Sequence, residues 1–355
     1  MAYDPFTRGP RPVGVRTLDA LDASRGRRLP IELWYPAHQR HAGRDTAPGT
    51  RDTYELMPGL PPVHQDAVRD AEAEPGEYPL VAFSHGFGGH RRQSTFLCTH
   101  LASHGYVVAA VDHTGNTALD VLQAALAAQS AGTQRDALEG VHEFVAARPL
   151  DVDFAIAESL RACRDLALDV DDARLGVTGH SFGGWTALTV TARNPRVASV
   201  LALAPGGGAG SLGGEILGPT LELDWGREVP ALFLVADRDS LLPLSSMRDI
   251  LKRTSGPKRM VVLENADHLH FCDRIEEVHE MFRMMPPPGE FARLAAEIAP
   301  ISELCAPEQA YAFVRGLGLA QFDATLKREP AAQALLEREL EGALASRGIR
   351  ARALE

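Results

Sequence analysis

Short apolar runs recur along the chain, and longer segments with helical character separate them. Most of these runs are continuous, which favours strands buried on both faces of a parallel sheet. One run alternates apolar and polar residues, which favours a strand that is half exposed. The runs predict about eight strands, over residues 13–18, 30–35, 80–83, 106–111, 175–178, 200–203, 231–235 and 260–263.

Helical segments lie between the predicted strands. We predict helices over residues 94–103, 153–168, 182–193 and 245–253, and two more within 307–346, separated near Pro330. Alternation of strands and helices favours right-handed crossovers between parallel strands. We therefore expect an α/β protein with a mostly parallel, doubly wound sheet.

Three segments are longer than this framework requires. The first, residues 37–78, is polar and contains Pro and Gly. The second, residues 114–149, includes an alanine-rich run that predicts a further helix over 118–129. The third, residues 272–305, contains Met284-Met-Pro-Pro-Pro-Gly289. Long insertions in a compact domain often form lids or binding loops. We expect residues 1–355 to form a single domain with these cap or loop insertions.

Composition and charge restrict the class of protein. The 355 residues are 45% hydrophobic and carry a net charge of −11 without a basic stripe, which argues against a nucleic-acid partner. No apolar run approaches the roughly 18 residues of a membrane span, and the first residues lack the apolar core of a secretory signal. The four cysteines are widely spaced, which favours free thiols and a cytoplasmic location.

A G-x-S-x-G sequence, Gly179-His-Ser-Phe-Gly183, lies between a predicted strand and a predicted helix. In that context the pattern predicts a sharp turn that exposes the serine hydroxyl above the end of the sheet. The alternative is a structural serine in a tight turn. We take Ser181 as the candidate nucleophile, which then requires a base to remove its proton.

An acid and then a histidine follow in the chain order that this turn motif predicts. His268 lies just past the last predicted strand and is the candidate base, with His270 as its rival. Asp239 follows the preceding strand and is the candidate acid. Asp237 competes with it at close range and Asp224 more distantly. The acid would hold the imidazole in the productive tautomer and stabilise the imidazolium.

Two backbone N–H groups are expected to form an oxyanion hole. One belongs to Phe182, directly after the nucleophile, and the other to Phe87 in the loop Ser84-His-Gly-Phe-Gly-Gly89. Glycines let the backbone approach a substrate oxygen closely. A glycine-rich turn without a role is the alternative. No metal site stands out, because the triad accounts better for His268 and His270.

The chain resembles the α/β-hydrolase superfamily, and within it the dienelactone-hydrolase-like and platelet-activating-factor-acetylhydrolase-like branch of serine esterases. It resembles the cutinase-like polyester hydrolases more loosely, through the same serine, acid and histidine motifs. The resemblance spans most of residues 10–272. The segments that carry it are Leu29-Pro-Ile-Glu-Leu-Trp-Tyr-Pro36, Ser84-His-Gly-Phe-Gly-Gly89, Leu101-Ala-Ser-His-Gly-Tyr-Val107, His113-Thr-Gly-Asn-Thr117, Arg148-Pro-Leu-Asp151, Gly179-His-Ser-Phe-Gly-Gly184 and Asp267-His268.

The resemblance implies an α/β-hydrolase fold and a carboxylic ester hydrolase with the triad Ser181, Asp239 and His268 and no cofactor. Dienelactone hydrolases use a cysteine nucleophile where this chain has Ser181, which argues against lactone hydrolysis. We expect a small-molecule ester with a small or medium acyl chain. Phospholipid hydrolysis, polyester hydrolysis and acyl transfer are alternatives on the same triad, and a binding protein with a lapsed site is the non-enzymatic one. No pattern indicates an oligomeric state.

Overall fold

A ten-stranded sheet forms the centre of the computed structural model, which describes residues 3–56, 59–132, 138 and 140–354. All eight predicted strands are present, and two short edge strands, β5 and β12 below, extend the sheet. The strands of the described residues are β1 (Val13–Asp22), β2 (Arg27–Pro36), β3 (Asp52–Tyr54), β4 (Val63–Gln65), β5 (Val68–Arg69), β6 (Gly76–Ser84), β7 (Val107–Val111), β8 (Leu168–His180), β9 (Val197–Leu203), β10 (Ala231–Ala236), β11 (Lys258–Leu263) and β12 (Ala351–Leu354).

Helices lie on both faces of the sheet and at its rim. Those in the described part of the chain are α1 (Thr95–Ser103), α2 (Ala118–Ser130), α3 (Val141–Asp165), α4 (Phe182–Arg193), α5 (Gly214–Leu217), α6 (Leu244–Arg253), α7 (Ile275–Met284), α8 (Glu290–Ala295), α9 (Pro307–Thr325), α10 (Pro330–Ala334) and α11 (Leu340–Ala345). A short 3-10 helix, His268–Phe271, follows β11.

The sheet order is β12-β11-β10-β9-β8-β6-β7-β2-β1-β5. Six strands, β11, β10, β9, β8, β6 and β7 in sheet order, are parallel to one another, whereas β2 pairs antiparallel with both β7 and β1. β12 pairs antiparallel with β11. The prediction of a mostly parallel sheet is confirmed. Because the parallel strands share one direction, the loops that follow β6, β8, β10 and β11 leave the sheet at the same edge.

The central strands are continuously apolar because each of their faces meets a different core. In β6, Leu80 and Ala82 belong to the core that contains residues of α3 and α4, whereas Val81 and Phe83 belong to the core on the other face, which contains residues of α1 and α9. Side chains alternate between the faces of a strand, so a strand covered on both sides needs apolar residues at every position. Helices on both faces confirm the doubly wound arrangement.

Helix α3 and strand β12 differ most from the predicted elements. The sequence predicts a helix over 153–168, but α3 begins at Val141 and continues through Pro149. The predicted pair of helices over 307–346 is present as α9 and as α10 with α11, joined by one π-helical turn. Strand β12, which follows them, was not predicted, because four residues carry too little pattern to indicate an edge strand.

The three predicted insertions contain structure of their own. Residues 37–78 hold the β3–β4 hairpin and β5, residues 114–149 hold α2 and the start of α3, and residues 272–305 hold α7 and α8. Parts of two insertions, residues 57–58 and 133–137 with 139, lie outside the described residues. The single-domain organisation over 1–355 stays a prediction. Among the described helices, none combines the length and hydropathy required of a membrane span.

Candidate active site

Ser181 occupies the turn between β8 and α4 in a strained backbone conformation, with φ 59° and ψ −119°. The turn leaves no space for a side chain at either of the two glycines of the motif. A Cβ atom at Gly183 would lie 1.9 Å from the Ser84 carbonyl oxygen, and one at Gly179 would lie 2.3 Å from the carbonyl oxygen of Gly183. The glycines of the motif are therefore steric requirements. Ser181 itself stays half-buried, within reach of a ligand.

The structure brings together His268 and Asp239, the candidate base and the candidate acid. Nδ1 of His268 lies 2.7 Å from Oδ2 of Asp239. The other carboxylate oxygen accepts the backbone N–H groups of Leu241 at 3.0 Å and Leu242 at 2.8 Å, which fixes the acid. A proton on Nδ1, donated to this carboxylate, leaves Nε2 of His268 as the acceptor that a general base requires.

Burial and charge act in opposite directions on His268. Burial by itself would lower its pKa, because it disfavours the imidazolium, but the charge and hydrogen bond of Asp239 outweigh burial. The pKa of His268 is therefore raised above its ordinary value. An imidazole that binds a proton readily is suited to accept one from a serine hydroxyl.

His180 links the loop of His268 to the nucleophile turn. Its Nε2 donates to the His268 carbonyl oxygen at 2.9 Å, its Nδ1 accepts from Nε2 of Gln93 at 3.0 Å, and its ring lies 4.6 Å from the His268 ring. Burial, with the nearby charge of His268, holds the pKa of His180 well below its usual range, so it stays neutral. The residue before the nucleophile thus packs against the candidate base.

The hydroxyl of Ser181 forms no hydrogen bond with the side chains of the described residues. The contact between the candidate acid and the candidate base is therefore formed, and a contact between the candidate nucleophile and that base is not. In unliganded enzymes this second contact is often long and tightens only when substrate binds.

The rival site residues have other partners. Nδ1 of His270 lies 2.9 Å from Oδ1 of Asp267 and 3.1 Å from the backbone nitrogen of the same residue. Its Nε2 lies 3.3 Å from the Cys305 carbonyl oxygen, so both ring nitrogens have partners away from Ser181. Asp237 accepts the N–H of Ala266 at 3.3 Å and braces the loop. Asp224, the third candidate acid, accepts the backbone N–H of Gly226 within its own turn. The geometry favours His268 and Asp239 over their rivals.

Asp267 ties the same loop to the third insertion. Besides His270 it faces His279 of α7, whose Nδ1 lies 2.9 Å from Oδ2 and whose Nε2 donates to the Ala299 carbonyl oxygen at 2.8 Å. Burial alone would lower the pKa of His270, but Asp267 raises it to about 9. Burial alone would raise the pKa of Asp267, but the two histidines hold it below its ordinary value. We call these three residues the His–Asp–His cluster.

The loop that follows β6 is arranged to present backbone N–H groups. Its Gly86 N–H donates to Oε1 of Gln93 at 2.8 Å, and its Gly86 carbonyl accepts from Nδ1 of His85 at 2.7 Å. The N–H of Phe87 donates to no described residue. Phe182 is the first residue of α4, where N–H groups lack partners within the helix. The Phe87 ring stacks on Phe291 of α8, with centroids 5.7 Å apart.

A second Ser–His–Asp arrangement lies behind this loop, and the sequence predicted no role for it. Oγ of Ser84 lies 2.8 Å from Nε2 of His113, whose Nδ1 lies 3.1 Å from Oδ2 of Asp151. All three are buried, with exposed fractions of 2%, 1% and 0%, so a substrate has no access to them. Burial lowers the pKa of His113 to about 3 and keeps it neutral. The segments 113–117 and 148–151, which carry part of the family resemblance, contain the signal for this network.

The described residues include no group of three or more His, Cys, Asp or Glu side chains arranged to hold a metal ion. The four cysteines, all buried, are not joined in disulfides.

Comparison with known proteins identifies esterases. The model of the family "Platelet-activating factor acetylhydrolase, isoform II" matches residues 11–139. Platelet-activating factor acetylhydrolase of Cavia porcellus is 27% identical over 206 residues, 50% of this chain and 47% of that protein. Cutinase est1 of Thermobifida alba is 28% identical over 202 residues, 55% of each chain. The chain thus spans about half the length of these curated relatives.

A solved structure extends the similarity to the whole chain. The ferulic acid esterase from Streptomyces cinnamoneus superposes with a TM-score of 0.66 and 26% sequence identity, covering 98% of this chain and 97% of that one. The similarity therefore includes the tail beyond residue 272, where the sequence resemblance weakens.

Proposed function

We propose that this chain, which belongs to the α/β-hydrolase superfamily, is a serine esterase that cleaves carboxylic esters through Ser181, His268 and Asp239. The observation that carries the proposal is the strained serine turn beside a buried imidazole whose Nδ1 lies 2.7 Å from a carboxylate. Positive φ at a residue with a side chain is strained, and in a strand-to-helix turn of this motif the strained conformation presents the serine hydroxyl above the end of the sheet. The esterase names of the relatives support the same reaction class.

The reaction proceeds in two halves. Nε2 of His268 accepts the Ser181 proton as Oγ attacks the ester carbonyl, and Asp239 stabilises the imidazolium that forms. The N–H groups of Phe87 and Phe182 donate to the oxyanion. The imidazolium then protonates the leaving alcohol, and water, activated by His268, releases the acid from the acyl-enzyme.

The proposed substrate is a small-molecule ester with a small or medium acyl chain. The aromatic contact of Phe87 with Phe291 supports a short acyl site, because it fills space beside the oxyanion loop. The relatives named above act on acyl and alcohol groups of different kinds, so their names support the ester bond more than any one substrate. Buried free thiols support a reducing compartment, and we include the cytoplasm in the proposal.

A second candidate is an ester presented at a lipid or polymer surface. Leu119, Leu122 and Leu126 recur at helical spacing on α2 and are 41%, 43% and 52% exposed. Helix α2 begins beside the oxyanion loop, where the N–H of Ala118 donates to the Gly89 carbonyl at 3.0 Å. An exposed apolar stripe next to the site favours contact with an apolar surface.

A chain-length series of p-nitrophenyl esters, measured beside a short-chain phospholipid and a polyester film, tests the proposal. We expect hydrolysis of the acetyl to hexanoyl esters, and Ser181→Ala should lower kcat by about 10⁶-fold while the protein unfolds as the wild type does. His268→Ala should lower kcat far more than the matched variant His270→Ala.

Preference for the phospholipid or the film would favour the second candidate. Added alcohol converted to a new ester would indicate acyl transfer, and wild-type turnover by Ser181→Ala would refute the assignment.

A further inference from the structure

Arg148 is a buried charge that no described carboxylate approaches to ion-pair distance, although the charge of Asp151 acts on it from farther away. It lies in α3 with 0% of its surface exposed, and its guanidinium forms no ion pair with any carboxylate of the described residues. Buried charges in proteins are usually paired, because an unpaired charge loses its hydration without compensation. Burial lowers the pKa of Arg148 to about 9, so the side chain is still protonated at neutral pH.

The guanidinium joins two elements that converge on the candidate active site. On one side Nη2 donates to the His85 carbonyl oxygen and lies 3.3 Å from Oγ of Ser84, in the loop that contains Phe87. On the other side Nε donates to Oγ1 of Thr186 at 3.1 Å. That hydroxyl in turn donates to the Phe182 carbonyl at 2.8 Å, in the first turn of α4.

Two further contacts fix the orientation of the side chain. Nη1 donates to Oδ1 of Asn116 at 2.5 Å, and the guanidinium carbon lies 4.4 Å from the centre of the Phe182 ring. A planar guanidinium donates in several fixed directions at once, which lysine does not reproduce. Arg148 therefore holds the loop after β6 and the start of α4 in one arrangement.

These two elements carry the two candidate oxyanion donors, the N–H groups of Phe87 and Phe182. Their separation decides whether both reach the same oxygen, and errors near 1 Å lower rates by about 10²-fold. A positive charge in a low-dielectric site also stabilises negative charge that develops nearby.

We propose that Arg148 is a positioning residue for the oxyanion hole, which sets the spacing of Phe87 and Phe182 and adds a buried positive charge behind them. The inference rests on the proposed function. It predicts that loss of Arg148 weakens stabilisation of the transition state and leaves binding of the ground-state ester unchanged.

The test compares Arg148→Met with a matched control. Arg227 is partly buried and donates to backbone carbonyls only, those of Thr191 and Asn194 at the end of α4 opposite Ser181 and that of Val197 at the start of β9. Arg227→Met therefore removes a comparable set of hydrogen bonds away from the site. For both variants we would measure the melting temperature, kcat and KM for a p-nitrophenyl ester, and the rate of inactivation by a fluorophosphonate.

Arg148→Met should lower kcat and the inactivation rate by about 10- to 100-fold, with KM within about threefold of the wild-type value. Arg227→Met should lower the melting temperature and leave kcat near the wild-type value. Thr186→Val, which removes the acceptor of Nε at constant volume, should lower kcat in the same way but less, and it decides the question if Arg148→Met does not fold.

The inference is overturned if Arg148→Met, or Thr186→Val where the first does not fold, lowers kcat no more than Arg227→Met does. It is also overturned if KM alone changes. A wild-type protein that neither hydrolyses the ester nor reacts with the fluorophosphonate would remove the proposed function, and this inference with it. An active wild type with an equally active Arg148→Met would remove this inference alone.

Discussion

Ser181 adopts a conformation that few residues other than glycine occupy, and its neighbours maintain it. Its N–H donates to the Leu203 carbonyl at 2.9 Å, and its own carbonyl accepts the N–H of Gly206 at 2.9 Å and of Trp185 at 3.1 Å. Positive φ at a residue with a side chain costs about 1–3 kcal/mol. These bonds and the packing of α4 offset that strain and hold the half-buried serine in this conformation.

The glycines beside Ser181 give a direct test of this turn. Gly183→Ala should lower the free energy of unfolding by about 3 kcal/mol or more, because the new methyl group would overlap the Ser84 carbonyl. Gly342→Ala, on the exposed side of α11 with no atom within 4 Å of the new methyl, should raise it by about 0.5–1 kcal/mol. Urea unfolding of both variants provides the measurement. Equal effects would mean that the turn tolerates a side chain.

Asp239 and Asp237 are separated by one residue but make different contacts, which allows a matched pair of substitutions. Asp239→Asn should lower kcat by about 10³- to 10⁴-fold, because the amide favours the wrong tautomer of His268. Asp237→Asn should leave kcat within about threefold of wild type, because its single acceptor role toward Ala266 persists in the amide. Steady-state kinetics with one p-nitrophenyl ester separates them. A larger loss in Asp237→Asn would identify that residue as the acid.

The raised pKa of His268 determines the pH dependence of the reaction. His268 must be neutral to accept the serine proton, so activity is lost as the pH falls and the imidazole takes up a proton. Because Asp239 raises the pKa of His268, the acid limb of kcat/KM should be half-maximal above pH 6.5, the ordinary value. In Asp239→Asn, the acid limb of the pH profile of the remaining kcat/KM should lie at lower pH than in the wild type. An acid limb at the same pH in both proteins would exclude His268 as the titrating base.

At the scale of elements, the His–Asp–His cluster joins the loop of the candidate base to α7. Asp267 caps the short helix His268–Phe271, with its carboxylate accepting the N–H of Leu269 at 3.0 Å. The same carboxylate faces His279 of α7. The third insertion is therefore attached to the site by buried charge as well as by the aromatic contact of Phe87 with Phe291.

This cluster predicts a specific loss of stability at alkaline pH. The pKa of His270 is about 9 in the folded protein, against 6.5 as the ordinary value, and that of His279 is also raised. A raised pKa stabilises the folded state fully below pH 6.5, and this stabilisation is lost as the pH rises through about 9. The free energy of unfolding in urea should fall over that range.

Asp267→Asn is the matched variant, because it removes the charge and retains the size of the side chain. Asp267→Asn should lower the free energy of unfolding at pH 6, and that free energy should fall less between pH 6.5 and 9 than it does in the wild type. If the free energy of unfolding changes with pH in the same way in both proteins, the cluster does not bind extra protons in the folded state.

At the scale of the molecule, one edge of the sheet gathers the candidate site from distant parts of the chain. The loops after β6, β8, β10 and β11 carry Phe87, Ser181, Asp239 and His268. The carboxyl ends of parallel strands form the usual site crevice of open α/β sheets. The strand order and four loops therefore bring the candidate acid, base and nucleophile to the same edge of the sheet.

Much of this arrangement could be predicted from the sequence, because its signals are local. Apolar runs, most of them continuous and one alternating, indicated the eight central strands, and the turn around Ser181 was evident from two glycines between a strand and a helix. The start of α3 and the strand β12 could not be predicted, since Pro149 interrupts the helical pattern and β12 depends on pairing with β11. The buried contacts of Arg148 and His113 also arise from tertiary packing, which no spacing in the chain encodes.

The proposed reaction depends on Ser181 acting as a nucleophile activated by His268. Incubation of the protein with a fluorophosphonate, followed by intact mass measurement and peptide mapping, is the decisive test of this activation. We expect one covalent adduct per chain, located on Ser181, formed much more slowly in His268→Ala and absent in Ser181→Ala. An adduct on any other residue, or an unmodified wild-type protein, would contradict it.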